Sequence, residues 1–113
     1  MTRIERITEW TVLPTGMEDG DVNSLSFAVS VRWRGTYEGK KGGGWSISRA
    51  GSELSRSRQW SHYVPRFRRW QHRWATFEEA QAIAREVVDG VVMNGRTYAE
   101  WEAFHAARKE GSA

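Results

Sequence analysis

Residues 25–33 read LSFAVSVRW, where Leu25, Phe27, Val29, Val31 and Trp33 alternate with Ser26, Ala28, Ser30 and Arg32. Such a period of two predicts a strand with one face in a core and the other turned outward. On its N-terminal side, residues 7–13 are β-branched and aromatic enough for a second strand, ended by Pro14 and Gly16. The acidic stretch 18–23 reads as the loop between them. On the C-terminal side, the glycine-rich stretch 35–44, which includes Gly42, Gly43 and Gly44, predicts a flexible loop. Trp45, Ile47 and Arg49 then alternate with Ser46 and Ser48 as a third strand that stops at Ala50-Gly51. Between 53 and 63, Leu54, Arg56, Arg58, Trp60 and His62 alternate with Ser55, Ser57, Gln59 and Ser61, which predicts a fourth strand broken by Pro65. Residues 67–74 either return as a fifth strand or form an irregular segment carrying two aromatic anchors.

Two helices follow, each opened by a capping box: Thr76-Phe77-Glu78-Glu79 and Thr97-Tyr98-Ala99-Glu100. Behind the first, Phe77, Ala80, Ile83, Ala84, Val87 and Val88 recur at helical spacing, with Gly90 placed to end the helix. Behind the second runs an aromatic stripe of Tyr98, Trp101, Phe104 and His105, and Arg108 and Lys109 suit its negative pole. Val91, Val92 and Met93 before Asn94-Gly95 predict a short strand and turn joining the helices. The order predicts an α+β fold: an antiparallel meander of three to five strands followed by two helices packed on one sheet face. Residues 1–113 form a single domain with a disordered tail at 110–113, and the spectrum is expected to show more strand than helix. If Val29 and Val31 face the helices, Arg32 and Arg34 face away.

Composition agrees with a folded domain. The 113 residues include seven tryptophans, three tyrosines and four phenylalanines, too many for a disordered chain. The absence of cysteine excludes a disulfide framework and thiolate chemistry. The charged start MTRIERITEW lacks an apolar h-region, and no apolar run is long enough to span a bilayer, so the expected setting is cytoplasmic with no membrane partner.

Charge is sharply segregated along the chain. Residues 1–30 hold two bases against five acids and residues 76–113 four against seven, a net of −3 each. Residues 31–75 hold eleven bases against two acids, a net of +9. A field so divided attracts polyanions although the whole chain carries only +3. Arginine outnumbers lysine 14 to 3, which a GC-rich genome also produces, so the position of the arginines says more than their number.

The densest part combines both chemistries used by backbone-led nucleic-acid binding. Arg56, Arg58, Arg66, Arg68, Arg69 and Arg73 are interleaved with Trp60, His62, Tyr63, Phe67, Trp70 and Trp74. Guanidinium groups pair with phosphates and aromatic faces stack on unpaired bases. Of these, Arg56, Arg58, Trp60, His62, Arg66, Arg68, Arg69, Trp70 and Arg73, together with Arg49 at the start of the segment and Lys40 and Lys41 on the glycine-rich loop, are the candidate contacts of a surface through 49–74. The same residues also fit a plainer arrangement in which the tryptophans fill the core and the arginines form a solvated face. The segment GKKGGG lacks the spacing of a Walker motif, and its glycines suit flexibility better than a nucleotide cradle.

The segments HRWATFEEA (72–80) and VVMNGRTYAEWEA (91–103) resemble those of small uncharacterised proteins of actinobacteria and their phages, a likeness that imports no activity. In element order, residues 25–89 also look like the sheet-plus-helix arm-binding domains of phage integrases. That likeness implies DNA as a ligand and identifies no contact residue.

Enzyme signatures are lacking. His62, His72 and His105 are scattered and no HExxH, GxSxG or SxxK occurs, so neither a metal, a cofactor nor a catalytic residue is expected. The reading is a small non-enzymatic binding module whose partner is DNA or RNA. Its alternative is a phage-derived or accessory protein that docks on a host protein through exposed aromatics such as Trp101.

Overall fold

The computed structural model describes residues 2–111. Five short strands, β1 (Glu9–Val12), β2 (Val29–Trp33), β3 (Trp45–Arg49), β4 (Ser52–Leu54) and β5 (Trp60–Ser61), pair antiparallel in chain order. Val31 lies opposite both Trp10 and Ile47, and Leu54 opposite Trp60. Because successive residues alternate faces, this register puts Trp10, Val12, Val29, Val31, Ile47 and Leu54 on one side of the sheet. Thr11, Ser30, Arg32, Ser46, Ser48 and Glu53 take the other. Val29, Val31 and Ile47 are fully buried, which marks the first side as the core.

That core is closed by α2 (Phe77–Val87), which crosses β2 and β3. Phe77 meets the rings of Trp10 and Trp45 at 6.1 and 5.1 Å. One and two turns on, Ala80 and Ala84 are fully buried, and their small side chains allow the helix close to the strands. Thr76 caps the helix by accepting from the Glu79 amide at 3.2 Å. After the 3-10 turn Val88–Gly90, the Asp89 carboxylate accepts from the Thr15 amide and hydroxyl at 2.7 and 3.0 Å, which ties the end of the helix to the loop after β1.

A second, two-stranded sheet follows: β6 (Val92–Met93) and β7 (Arg96–Thr97), joined by Asn94 and Gly95, both at positive φ as a tight hairpin requires. The Thr97–Glu100 box is closed in both directions and opens α3 (Tyr98–Gly111). This helix leans on β7 rather than crossing the large sheet. Tyr98 packs edge-on against Phe27, and the Trp101 indole donates to the Met93 carbonyl at 2.8 Å. The arginine Arg96 covers Trp101 and Phe104 at 4.9 and 4.0 Å, so the aromatic stripe is occupied from within the chain.

The fold class is the expected α+β, but of the two helices expected on one sheet face only α2 lies there, because the β6–β7 hairpin carries α3 off the large sheet, and the element bounds differ in detail. The strand foreseen over 25–33 begins only at Val29, because Ser24–Phe27 form a helical turn, α1, with the Asn23 amide held by the Asp21 carboxylate at 2.8 Å. Phe27 stays buried while Leu25 is turned out to 86% exposure. The single strand foreseen over 53–63 is a hairpin, since Ser55 closes the turn from both its backbone and its hydroxyl and Arg58 adopts a left-handed φ of 67°. Residues 67–74 take the irregular alternative, a 3-10 segment Arg66–His72. The foreseen disordered tail is helical at Glu110 and Gly111, where Ala106, Ala107, Lys109 and Glu110 sustain the helix, and Ser112 and Ala113 lie outside the described residues. Helical residues consequently outnumber strand residues, reversing the expected balance. Among the described residues no helix is long and apolar enough to cross a membrane.

Candidate nucleic-acid interface

The polar sheet face acquires its charge where the chain returns after β5. Pro65 starts the 3-10 segment with its fixed φ. Residues three apart eclipse in such a helix, so Arg66 and Arg69 stand in one column. Past its end, Trp74 and Trp45 exchange both backbone hydrogen bonds, at 2.8 and 2.9 Å, and extend the sheet beyond β4. Trp74 points into the core, which turns Arg73 onto the polar face. There its guanidinium donates to Glu53 at 2.7 Å, and the same carboxylate lies 4.0 Å from Arg34. Arg34 in turn donates to the Ser46 hydroxyl at 2.9 Å. Burial lowers the pKa of Arg34, opposed by Glu53 and assisted by the positive charges of Arg73, Arg32 and Arg69.

The opposite wall is the loop 35–44. Arg34 and Gly44 close its base, the Arg34 amide to the Gly44 carbonyl at 2.7 Å and the Gly44 amide to the Gly35 carbonyl at 2.8 Å. Its glycines are conformational requirements and not mere flexibility. Gly43 and Gly44 hold φ of 76° and 78°, and a β-carbon on either would run into the carbonyl of Thr36 or of Trp74. The short turn Gly39–Lys41 carries Lys40 and Lys41 toward the 3-10 segment, with the Lys40 ammonium 5.3 Å from the centre of the Trp70 ring.

Between these walls lies a cavity of about 550 Å³. Arg34, Lys40, Lys41, Arg66, Arg69 and Arg73 line it with a single carboxylate, Glu53: six cations against one acid, a net of +5. A second hollow of about 590 Å³ on the sheet face shares Arg34 and Glu53 with the first and has Thr11, Ser30 and Ser48 among its lining. Thr11 and Ser30 hydroxyls are bonded at 2.9 Å, and Arg32 pairs with Glu9 at 3.2 Å. The two hollows adjoin at the Arg34–Glu53 pair they share.

Of the residues singled out from sequence, Lys40, Lys41, Arg66, Arg69, Trp70 and Arg73 are brought together here. Arg56 braces the wall from behind, donating to the Arg73 carbonyl at 2.8 Å and the Tyr37 hydroxyl at 3.2 Å. Arg58 bonds the Arg56 carbonyl at 2.9 Å and lies 3.8 Å from Glu86, away from the cavity. Arg68 lies over the Phe67 ring and lines a separate groove with Gln71 and His72. By strand parity Arg49, Trp60 and His62 belong to the helix side of the sheet, although Arg49 also borders the second hollow. Arg49 donates to the Ser26 carbonyl at 3.1 Å, Trp60 packs against the core, and the His62 ring shares a 3.1 Å hydrogen bond with the Ser52 hydroxyl. One step of strand parity separates these three from Glu53 and Arg73.

The lining residues outside the sequence selection are Arg34, Glu53, Tyr63, Val64, Gly42 and Gly43. Arg34 was foreshadowed by the outward parity of β2; nothing in sequence placed Tyr63 beside it. Among the described residues no group of three histidines or carboxylates could hold a metal ion. No family model, curated protein or solved structure matches the chain.

Proposed function

We propose that the chain is a non-enzymatic binding module that holds the phosphate backbone of a nucleic acid in the cavity between the 35–44 loop and the 66–73 segment. The observation that carries the reading is the six-to-one excess of cations around that cavity, drawn from three separate parts of the chain. Guanidinium groups bind phosphate oxygens through two parallel hydrogen bonds, and each neutralised phosphate releases condensed counterions. A net of +5 exceeds what one small anion neutralises, and a second hollow with Thr11, Ser30 and Ser48 in its lining adjoins the cavity at Arg34 and Glu53. A chain of phosphates fits that shape and charge better than a single one.

The test is a binding titration over a range of salt concentrations. If about five phosphates are neutralised, log K against log salt should fall with a slope of roughly −4.5 on duplex DNA and −3.5 on single strands. The Arg66→Ala, Arg69→Ala variant should flatten the slope by about two units, while Arg68→Ala should leave it nearly unchanged. Absence of measurable binding by the parent at about 50 mM salt, where screening is weak, would defeat the reading.

A further inference from the structure

The segments that wall the cavity carry a second kind of recognition element. Tyr63 and Phe67 are 81% and 73% exposed, beyond any packing role. Scattered exposed apolar residues are ordinary, so location is what matters. The large exposed aromatics are Trp33, Tyr37, Tyr63 and Phe67, and the last three all belong to segments that wall the basic cavity. Tyr63 lines it directly, beside Arg66 and Arg69. Phe67 follows Arg66 on the 3-10 segment outside the cavity lining, and the planar Arg68 guanidinium lies over its ring at 5.5 Å.

Resting on the phosphate-binding reading, we infer that the ligand is single-stranded nucleic acid, with Tyr63 and Phe67 stacking on unpaired bases while Arg66 and Arg69 hold the phosphates between them. The 3-10 geometry sets those two arginines about 6 Å apart along the segment, from three steps of roughly 2 Å. Every base offers a π-face once it leaves a duplex, and guanidinium planes stack on bases as aromatic rings do. A duplex would hide those faces and leave both rings in water. The rings are the part of the site that distinguishes the two ligands, because the cations serve either.

The experiment compares a dye-labelled oligothymidylate of about twelve nucleotides, within the usual range of single-strand sites, with a duplex of equal length at one low salt concentration. The parent should prefer the single strand by about tenfold or more, and Tyr63→Ala, Phe67→Ala should lower its single-strand affinity by roughly ten- to a hundredfold with an unchanged salt slope. Duplex binding by that variant should stay within about twofold of the parent. Both rings are exposed, so the variant should melt with the parent; Tyr63→Leu, Phe67→Leu, which keeps apolar bulk without a π-face, should lose the same binding. Equal parent affinity for both ligands, or a ring variant that binds the single strand as the parent does, overturns the single-strand inference and leaves the phosphate reading standing. A parent that binds neither removes the phosphate reading itself.

Discussion

Glu53 is the single acid in a cavity of cations, and its neighbours explain its presence. The Arg73 side chain is only 7% exposed, and a guanidinium buried to that degree needs a partner in direct contact. Glu53 supplies it at 2.7 Å and reaches toward Arg34, so one carboxylate positions two cations and still leaves the cavity strongly positive. Another acid has a purely local role. The Thr97 amide donates to Glu100 at 2.9 Å and the Thr97 hydroxyl accepts from the Glu100 amide at 3.2 Å. The backbone bond, then the side-chain bond to Thr97, hold the Glu100 carboxyl below its ordinary 4.5, with Arg96 assisting and burial opposing. A folded-state pKa below the unfolded one means stability that is present above the unfolded value and lost as pH falls through the folded one. Melting temperature should therefore hold from neutrality to about pH 5 and decline in more acid solution, and Glu100→Gln should soften that decline by removing one contributing group. An acid limb identical in the variant would show that the box contributes nothing measurable.

At the scale of elements, the helices were the most legible part of the sequence because their caps are chemically explicit. Both threonines foreseen as caps accept from the amide three residues on. The Asn94-Gly95 turn was equally plain. The strands were read too long, for one physical reason: serine, asparagine and aspartate alternate as convincingly as sheet residues while their side chains satisfy the backbone locally. Residues 25–27, drawn into a helical turn, and 55–59 both yield to that competition, and the second hides the turn that reverses β4 into β5. The β3–β4 connection carries a different tension. Ala50 and Gly51 sit at φ of 43° and 83°, a pair suited to asparagine or glycine followed by glycine, and alanine at the first position is strained. Ala50→Gly should relieve that strain and raise stability by about 1 kcal/mol, less the entropy it adds to the unfolded chain. Denaturant unfolding would show a higher midpoint with an unchanged slope; a lower midpoint would mean that the turn does not hold the left-handed conformation.

For the whole molecule, the segregation of charge seen along the sequence becomes a segregation in space, but only in part. Residues 31–75 hold eleven bases, and six bases gather at the cavity; Arg34 and Arg73 come from opposite ends of that stretch, a proximity only tertiary pairing creates. Sequence carried the excess of charge without its distribution, because strand parity and one 3-10 segment decide which side of the sheet each arginine takes. The acidic ends meanwhile contribute β1, α2 and α3, so the net charge of +3 understates the field a polyanion meets at the cavity. Retention on immobilised heparin separates the local field from the net charge. Arg66→Ala, Arg69→Ala and Arg3→Ala, Lys109→Ala each remove two positive charges and bring the chain from +3 to +1. Arg3 and Lys109 are exposed and absent from the cavity lining. If retention follows local potential, the first pair should elute at distinctly lower salt than the parent and the second closer to it, since charges outside the cavity lining are screened more strongly at moderate salt. Equal shifts for the two pairs would mean that the polyanion responds to overall charge alone, and the cavity would lose its claim to be the binding surface.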